Sequence, residues 1–560
     1  ILRNGSEINK KFEFETQQTI GSNGLFNSYN AIGGKTSKIH YYSFFDHRNG
    51  NGWRDNSRYF TNAGYGTVTY FVNPRFSLTT ELMHSHIRSQ QAGGLTDAQF
   101  QQDAQQSLRG RNWFDIVWTN PAIIANYQVN SSTRWNTKLF ATIGDRNSVG
   151  YLQSITVKDS INPATLQYNP RNVQADQYRN YGLESRIITD YLLGQMKNTV
   201  SAGIRLYTGS THRRIANNMG TTGSDYDMTV NGDYPVNIEF GSRNAAVFVE
   251  NIFRLTNKLL VVPGLRYEWL EGSASGQNGA VTLQNISRGR SFILAGIGAE
   301  YHVTKGTEFY GNYTQAYRPI QFANLQAPPT TDIVDPDLED ARGYNIDLGY
   351  RGKVHNYLQF DVSAYYLQYN NRVGTITVNN PSGTPSTYRL ITNVGNSTSK
   401  GVEAYMEFNP VKAFTVSKHA DLIVYGSYSY TRARYGGDHK DANTKGKEVE
   451  NAPSHIFRGG ISTGYKGFLL TGQFSYVGET FSDANNTVAA SANGQNGLIP
   501  AYAVTDLTAT YKFSKQLNIK AGINNLFDER YFTRRAGGYP GPGLLPADGR
   551  NFFISVGAKF

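Results

Sequence analysis

The last nine residues of the chain alternate strictly between two kinds of side chain, a pattern that few folds can accommodate. One face carries only apolar groups, those of Phe552, Ile554, Val556, Ala558 and Phe560. The other face carries Phe553, Ser555, Gly557 and Lys559. A period of two places successive side chains on opposite faces of a β-strand. The segment is therefore predicted to be a strand with one apolar face, ending on an aromatic residue.

Two internal segments repeat this alternation with charged residues on the second face. In the first, Tyr344, Ile346, Leu348 and Tyr350 alternate with Asn345, Asp347, Gly349 and Arg351. In the second, Val402, Ala404, Met406 and Phe408 alternate with Gly401, Glu403, Tyr405 and Glu407. Carboxylates are costly to bury in a dry core but are well solvated in a wet lumen. The pattern predicts membrane-spanning strands that are apolar outside and polar inside.

Short turn signals divide the chain into hairpins. The ten predicted turns are Gly34–Ser37, Asn73–Arg75, Asn130–Thr133, Gly194–Asn198, Thr256–Lys258, Thr304–Gly306, Gly352–Asn356, Asn409–His419, Lys466–Gly467 and Ser514–Gln516. Longer polar, Gly-rich stretches alternate with them and are predicted to be loops: Gly50–Ser57, Gln91–Arg111, Ser148–Gln177, Ser210–Gly232, Gly272–Arg290, Gly436–Asn451 and Ser482–Asn496. Ten turns separate eleven hairpins, which predicts an all-β, antiparallel transmembrane barrel of about 22 strands with tight periplasmic turns and long outer loops.

Composition agrees with this prediction and excludes several classes of protein. Mean hydropathy is −0.48 and no apolar run is long enough for a spanning helix, which excludes a helical membrane protein. The net charge of +11 is spread over turns and loops without a basic helix or charge run, so we expect no nucleic-acid partner. The chain has no cysteine, which fits an envelope protein without disulfides. No blade-length repeat indicates a propeller, and no P-loop or HExxH motif indicates an enzyme.

Three sequence blocks carry a resemblance to a known family. Gly522 to Tyr531 reads GINNLFDERY, Thr314 to Pro319 reads TQAYRP, and Asp335 to Arg342 reads DPDLEDAR. Together with the terminal Phe560, these blocks resemble TonB-dependent outer-membrane receptors in order and spacing. The blocks GWRDNS, GGL, GYL, PRN and STH, which begin at Gly52, Gly93, Gly150, Pro170 and Ser210, resemble receptors of the ferric citrate type.

The resemblance implies an architecture, a location and partners. Residues 1–560 are expected to form the receptor's barrel domain, and the family's N-terminal plug and TonB-contacting box do not appear in this sequence. The implied location is the outer membrane of a Gram-negative bacterium. The implied function is import of an iron chelate, either ferric citrate or another siderophore complex, driven by the TonB–ExbB–ExbD complex. Lipopolysaccharide is an expected lipid partner. The transported chelate is the expected ligand, with no resident cofactor or metal.

Anionic iron chelates require converging guanidinium or amide donors. By resemblance, the candidate ligand-binding residues are Arg213 and Arg214 after the STH block, Arg243 at the opening of the next strand, and Arg318 with Gln321 in the AYRPIQ block. The alternative for each arginine is a solvated loop cation or a lipopolysaccharide contact.

Other readings remain open. His84 and His86 lie two apart and would share one strand face, but two ligands do not complete a metal site. Haem receptors place a His between the two blocks that here contain Arg318 and Asp335, and none lies between them in this chain. Another cargo, such as haem, a vitamin or an oligosaccharide, and a plugless passive channel are the alternatives to iron-chelate import.

Overall fold

The structure is a computed structural model that describes residues 7–320, 332–379, 387–415, 417, 419–536 and 542–560. The strands of its first half are β1 (Glu13–Gly21), β2 (Leu25–Lys35), β3 (Ile39–Gly50), β4 (Tyr59–Asn73), β5 (Phe76–Gln90), β6 (Trp113–Gln128), β7 (Thr133–Gly150), β8 (Ile161–Asn162), β9 (Gln167–Tyr168), β10 (Asn172–Leu193), β11 (Met196–Ala216), β12 (Val236–Arg254), β13 (Leu259–Asn278) and β14 (Val281–His302).

The remaining strands are β15 (Thr307–Arg318), β16 (Asp332–Val334), β17 (Ala341–Val354), β18 (Leu358–Asn379), β19 (Thr387–Phe408), β20 (Ala420–Tyr435), β21 (His455–Tyr465), β22 (Phe468–Val477), β23 (Thr480–Phe481), β24 (Leu498–Ile499), β25 (Tyr502–Lys512), β26 (Leu517–Asn524), β27 (Phe532–Ala536), β28 (Gly543–Pro546) and β29 (Asn551–Lys559). The two short helices are α1 (Asp97–Gln102) and α2 (Pro410–Phe414). Within the described ranges, neither helix has the length or apolarity to cross a bilayer.

The main sheet closes on itself. Consecutive strands pair antiparallel around the ring, and β29 pairs with β1 from Phe553 opposite Gly21 to Lys559 opposite Glu15. The result is a closed antiparallel barrel of 22 strands, which confirms the predicted fold class. The short β16 joins the sheet as a parallel partner of β19, and β8–β9, β23–β24 and β27–β28 form separate two-stranded hairpins in the loops.

All ten predicted turns join neighbouring barrel strands at one end of the barrel, which we call the short-turn end. Three of these turns contain only two residues, and one of the three connects β21 to β22 through Lys466 and Gly467. Both residues have positive φ, 44° and 88°, as a type I′ turn requires, and glycine adopts this conformation without the penalty of a Cβ. The other end, the long-loop end, carries the long connections.

The two faces of the barrel wall differ as the alternation predicts. On β29, Phe552, Ile554, Val556 and Phe560 point outward and expose between 41% and 61% of their surface. On β19, Val402 and Met406 are outward and exposed, whereas Glu403 and Glu407 lie on the lumen face. The outer face therefore presents apolar groups to lipid, and the inner face presents polar groups to the lumen.

Three loops are shorter than predicted because the flanking strands continue into the segments that were predicted to be loops. β13 and β14 extend through most of Gly272–Arg290 and are joined by only two residues. β11 runs to Ala216, well inside the predicted loop Ser210–Gly232, and β7 and β10 trim Ser148–Gln177 to residues 151–171. Beyond the bilayer a strand no longer needs an apolar face, so the alternation of apolar and polar residues is lost. The Gly and Ser residues of such a segment then resemble those of a loop in the sequence.

Strand length varies around the ring. β10 to β14 contain 19 to 22 residues each, whereas β1 and β29 contain 9 each. About 9–11 residues suffice to cross a bilayer. The β10–β14 side therefore forms a tall wall that rises above the membrane at the long-loop end.

The assignment of faces predicts that the same substitution at two adjacent residues lowers the free energy of unfolding by very different amounts. Val402→Arg places a guanidinium in the apolar belt and should lower the free energy of unfolding by about 2–4 kcal/mol, since charges at mid-bilayer are poorly tolerated. Glu403→Arg, on the wet face, should cost less than about 0.5 kcal/mol. Urea unfolding in lipid vesicles measures both, and equal losses would contradict the assigned orientation.

Candidate ligand-binding cavity in the barrel lumen

A cavity of about 470 Å³ opens on the tall wall at the long-loop end. Its lining combines aromatic, hydroxyl and cationic groups, including Tyr178, Tyr207, Thr211, Arg213, Phe240 and Arg290. These residues come from β10, β11, β12 and β14, and strand pairing brings their lumen faces together. Such a mixture of apolar walls with a few directed polar groups is typical of ligand pockets.

Arg213 is held by a carboxylate on the neighbouring strand. Its Nε and Nη2 donate to Asp176 at 2.9 and 3.1 Å, and Arg146 Nη1 donates to the same carboxylate at 3.4 Å. The Asp176 side chain is completely buried, whereas those of Arg213 and Arg146 remain 23% and 37% exposed. Two guanidinium groups thus share one carboxylate, and this part of the lumen retains a net positive charge.

Arg290 links the cavity to the connection between β15 and β17. Its Nε lies 2.8 Å from Asp340 Oδ2, and both side chains are nearly buried. Asp340 also accepts from the Ile320 amide at 2.7 Å and from the Tyr317 hydroxyl. Among the described residues, neither Nε nor Nη2 of Arg290 makes a hydrogen bond, so Nε contacts Asp340 as an ion pair only. Next to it on the same face, Arg288 donates to the Leu338 carbonyl at 3.0 Å.

The structure separates the predicted arginines into two groups. Arg213 and Arg318 face the lumen, and Arg318 is exposed there with a weak contact of 3.4 Å to the Tyr369 hydroxyl. Arg214 and Arg243 lie on the outer face. Arg243 is the eighth residue of β12, not its first, and its side chain is 71% exposed at 3.7 Å from Glu271. Arg214 packs over Tyr234.

Gln321 lies outside the described residues.

Sequence reasoning missed Arg146, Asp176 and Arg290. The first two become visible once the strand register is known, because Arg146, Asp176 and Arg213 are directly paired across β7, β10 and β11. Arg290 was hidden because it closes the segment predicted as a loop.

His84 and His86 lie on the same face of β5, as the sequence predicted, and that face is the outer one. The two side chains contact different partners. His84 contacts Thr119 at 2.9 Å and His86 contacts Asp115 at 2.9 Å. Asp115 also accepts from Arg88 at 2.7 Å, which makes it an ion-pair partner.

One group of carboxylates and imidazole lies near the short-turn end of the lumen. Ligand atoms of Glu300, His302 and Glu308 fall within 4.8 Å of one another. Arg351, however, contacts Glu308 at 2.7 Å and Glu300 at 3.2 Å. Because a guanidinium already neutralises both carboxylates, this group is an ion-pair network and not a prepared cation site.

Buried arginines hold the long loops together. Arg109, Arg111 and Arg171 are at most 2% exposed. Arg111 forms a buried bidentate pair with Asp159 at 2.6 and 2.8 Å. Arg171 donates to the carbonyls of Arg111 and Asp225 at 3.1 and 2.8 Å, so residues 91–112, 151–171 and 217–235 are held together. Burial lowers the pKa of Arg109 and of Arg171.

A second set of arginine contacts joins the loop after β3 and the loop after β26 to the loop after β5. Arg54 donates to the carbonyls of Gly93 and Gln106 at 2.5 and 2.6 Å, and burial lowers its pKa to about 10. Arg535 forms a bidentate pair with Asp97 at 2.6 and 2.7 Å. The same loops contribute a small hydrophobic core formed by Leu95, Phe100, Ala104, Ile499, Phe532 and Leu544, with Trp53 packed against it. The long loops therefore form a preorganised platform.

Comparisons with known proteins identify a family and relatives with similar sequences. A family model described as "TonB dependent receptor-like, beta-barrel" matches residues 88–526, more than half of the chain. The chain is 22% identical over 318 residues to the ferric-pyoverdine 358 receptor of Pseudomonas putida, and 25% identical over 285 residues to the vitamin B12 transporter BtuB of Vibrio cholerae. These matches cover 54% and 50% of this chain but only 34% and 38% of the relatives, so the chain matches little more than a third of their length.

Solved structures share the fold at low identity. The ferric citrate transporter FecA in its unliganded form superposes with a TM-score of 0.80 at 20% identity, covering 99% of this chain and 79% of that one. The siderophore receptor PiuA of Acinetobacter baumannii gives 0.76 at 14% identity, with coverage of 99% and 82%. The copper transporter OprC gives 0.75 at 13% identity, with coverage of 100% and 82%.

The arginine contacts between the loops generate a prediction. Asp159→Ala leaves the Arg111 guanidinium buried and unpaired, and should destabilise the platform locally by about 3–5 kcal/mol. Amide hydrogen exchange in residues 151–159 and 221–225 should accelerate while the barrel strands stay protected. Glu271→Ala, which removes the partner of the exposed Arg243, serves as the control and should cost less than about 1 kcal/mol. Unchanged exchange in Asp159→Ala would show that the loops do not depend on this pair.

The closed barrel of 22 strands, its short turns and long loops, and the family match over residues 88–526 lead to one conclusion: the chain belongs to the TonB-dependent receptor-like β-barrel family.

Proposed function

We propose that this chain is the barrel of an outer-membrane receptor of a Gram-negative bacterium that imports an anionic metal chelate, with ferric citrate as the leading cargo. The observation that carries the proposal is the group of lumen-facing arginines on β7, β11 and β15 at the long-loop end. Arg146 and Arg213 share one carboxylate, and Arg318 has only a weak hydroxyl contact among the described residues. A carboxylate-rich chelate would find guanidinium donors there in a partly desolvated cavity.

The names of the relatives support a metal chelate as the class of cargo. Their names assign them ferric pyoverdine, vitamin B12 and a metal–pseudopaline complex as ligands. Among these and the solved neighbours, metal chelates recur, while the identity of the chelate differs from protein to protein. The charge of the cavity is therefore the feature that favours an anionic cargo for this chain.

In the proposed mechanism, the chelate enters between the long loops and contacts Arg213 in the cavity and Arg318, which directly precedes the cavity-lining Pro319 and Ile320. The preorganised platform keeps the cost of ordering the site low. By resemblance to the family, a plug preceding the barrel would close the lumen and be remodelled by TonB, with ExbB and ExbD supplying energy. We assign the barrel no bond-making step. The outward Arg243, next to Trp269 at the upper edge of an apolar groove, fits a contact with lipopolysaccharide phosphate.

The proposal is tested by substituting arginines in the full-length receptor. Arg213→Gln and Arg318→Gln should each weaken binding of ferric dicitrate about tenfold or more, since a charge-assisted hydrogen bond contributes about 1.5–3 kcal/mol. Arg243→Gln has the same chemistry on the outer face and should leave the affinity unchanged. Isothermal titration calorimetry measures all three.

Unchanged affinity in both lumen variants would refute the site. An equal loss in Arg243→Gln would indicate a general charge effect instead of direct contact. Saturable binding of only a neutral or cationic cargo would refute the anionic class and leave the receptor assignment standing.

A further inference from the structure

The outer face of β1 and β2 carries polar side chains where lipid-facing residues are expected. Thr16 and Gln18 on β1 lie directly opposite Asn30 and Ser28 on β2. These four residues share the strand face of the exposed Ile20, Phe26 and Ile32, whereas Thr19, Asn27 and Ala31 on the other face are buried against the lumen. The four polar groups therefore point out of the barrel.

Apolar residues bracket these groups along both strands. Phe14 and Ile32 are paired on the short-turn side, and Ile20 and Phe26 are paired on the long-loop side. Phe14 also stacks on Phe560 near the short-turn end, with the two ring centroids 6.5 Å apart. Because the polar groups lie between two apolar pairs, they fall within the hydrocarbon belt and not at either interface.

A hydrogen-bond network connects the four side chains. Thr16 Oγ1 donates to Asn30 Oδ1 at 2.7 Å, and Gln18 Nε2 donates to Thr16 Oγ1 at 2.9 Å. Asn30 Nδ2 donates to Ser28 Oγ at 3.0 Å. The row continues across β3 and β4, where His47 hydrogen-bonds Asn62 at 2.6 Å on the same face. We call Thr16, Gln18, Ser28, Asn30, His47 and Asn62 the polar patch.

The patch retains hydrogen-bonding capacity of both signs. Among the described residues, Gln18 Oε1 accepts no hydrogen bond, and one N–H of Asn30 Nδ2 has no acceptor. Lipid supplies neither donors nor acceptors, so such groups are stabilised by a protein neighbour. On the opposite side of the barrel, the outer face exposes the apolar groups Ile204, Leu206, Val247, Val249 and Leu265 at 41% to 58%.

We propose that the polar patch is the centre of a contact between two copies of this chain in the membrane. Amide groups that offer both a donor and an acceptor complement themselves across a two-fold axis, as an isologous contact requires. The apolar residues Ile20, Phe26, Ile32 and Phe45, exposed by 41% to 57%, surround the patch and supply the packing around its polar centre. The contact leaves the lumen and its cavity untouched, so it is independent of the cargo.

The chain contains no cysteine, which makes single-cysteine cross-linking a direct test. Ile20→Cys, Phe26→Cys and Phe45→Cys, which border the patch and leave its hydrogen-bonding groups in place, are introduced singly into the full-length receptor in its native outer membrane and treated with a short bis-maleimide. At least one variant should give a product of twice the receptor mass. Val247→Cys is the matched control, because it is 58% exposed on the outer face of β12, away from the patch.

Adding Gln18→Leu to the reactive variant should lower the yield of this product about tenfold, since it removes a hydrogen-bonding group at the centre of the contact. A yield no greater than that of Val247→Cys in all three variants would overturn the proposal. A cross-linked product whose mass reveals a different protein would overturn it as well, because the patch would then serve another partner.

Discussion

Every backbone N–H and C=O group that crosses the hydrocarbon layer must find a partner within the protein, because lipid offers none. Here the requirement is met by the pairing of β29 with β1, which removes the last free edge of the sheet. Closure fixes two faces on every strand, one for lipid and one for the lumen. The polar interior, the apolar belt and the position of each arginine relative to the cavity follow from that division.

Sequence alone could predict what the lipid enforces. The alternation of β29, the face of Glu403 and Glu407, and all ten turns are confirmed, because hydrocarbon and tight turns each demand particular residues. Prediction failed where that demand ends. The strands above the bilayer around Gly272–Arg290 were read as a loop, and Arg243 was placed with Arg213 although register sets them on opposite faces. The pairing of Arg146, Asp176 and Arg213 depends on register across three strands, which no local pattern contains.

The sequence blocks that carry the ferric-citrate-type resemblance have mainly structural contacts in this structure. Arg54 of GWRDNS donates to Gly93 of GGL, and Arg171 of PRN donates to the carbonyls of Arg111 and Asp225. These side chains hold loops together and do not line the cavity. Their presence indicates a shared loop architecture, and a shared architecture can present different cargo-binding residues. For this reason the charge of the cavity carries the cargo proposal, and the blocks do not.

The central claim is that an anionic metal chelate binds in the cavity lined by Arg213 and Arg290 at the long-loop end. The most direct measurement is a crystal structure of the full-length receptor with ferric dicitrate, using anomalous scattering at the iron edge to locate the metal. The account predicts an iron peak in the lumen, with citrate carboxylates within hydrogen-bonding distance of Arg213 and Arg318. An iron peak on the outer face, or a well-ordered lumen without one at saturating ligand, would contradict it.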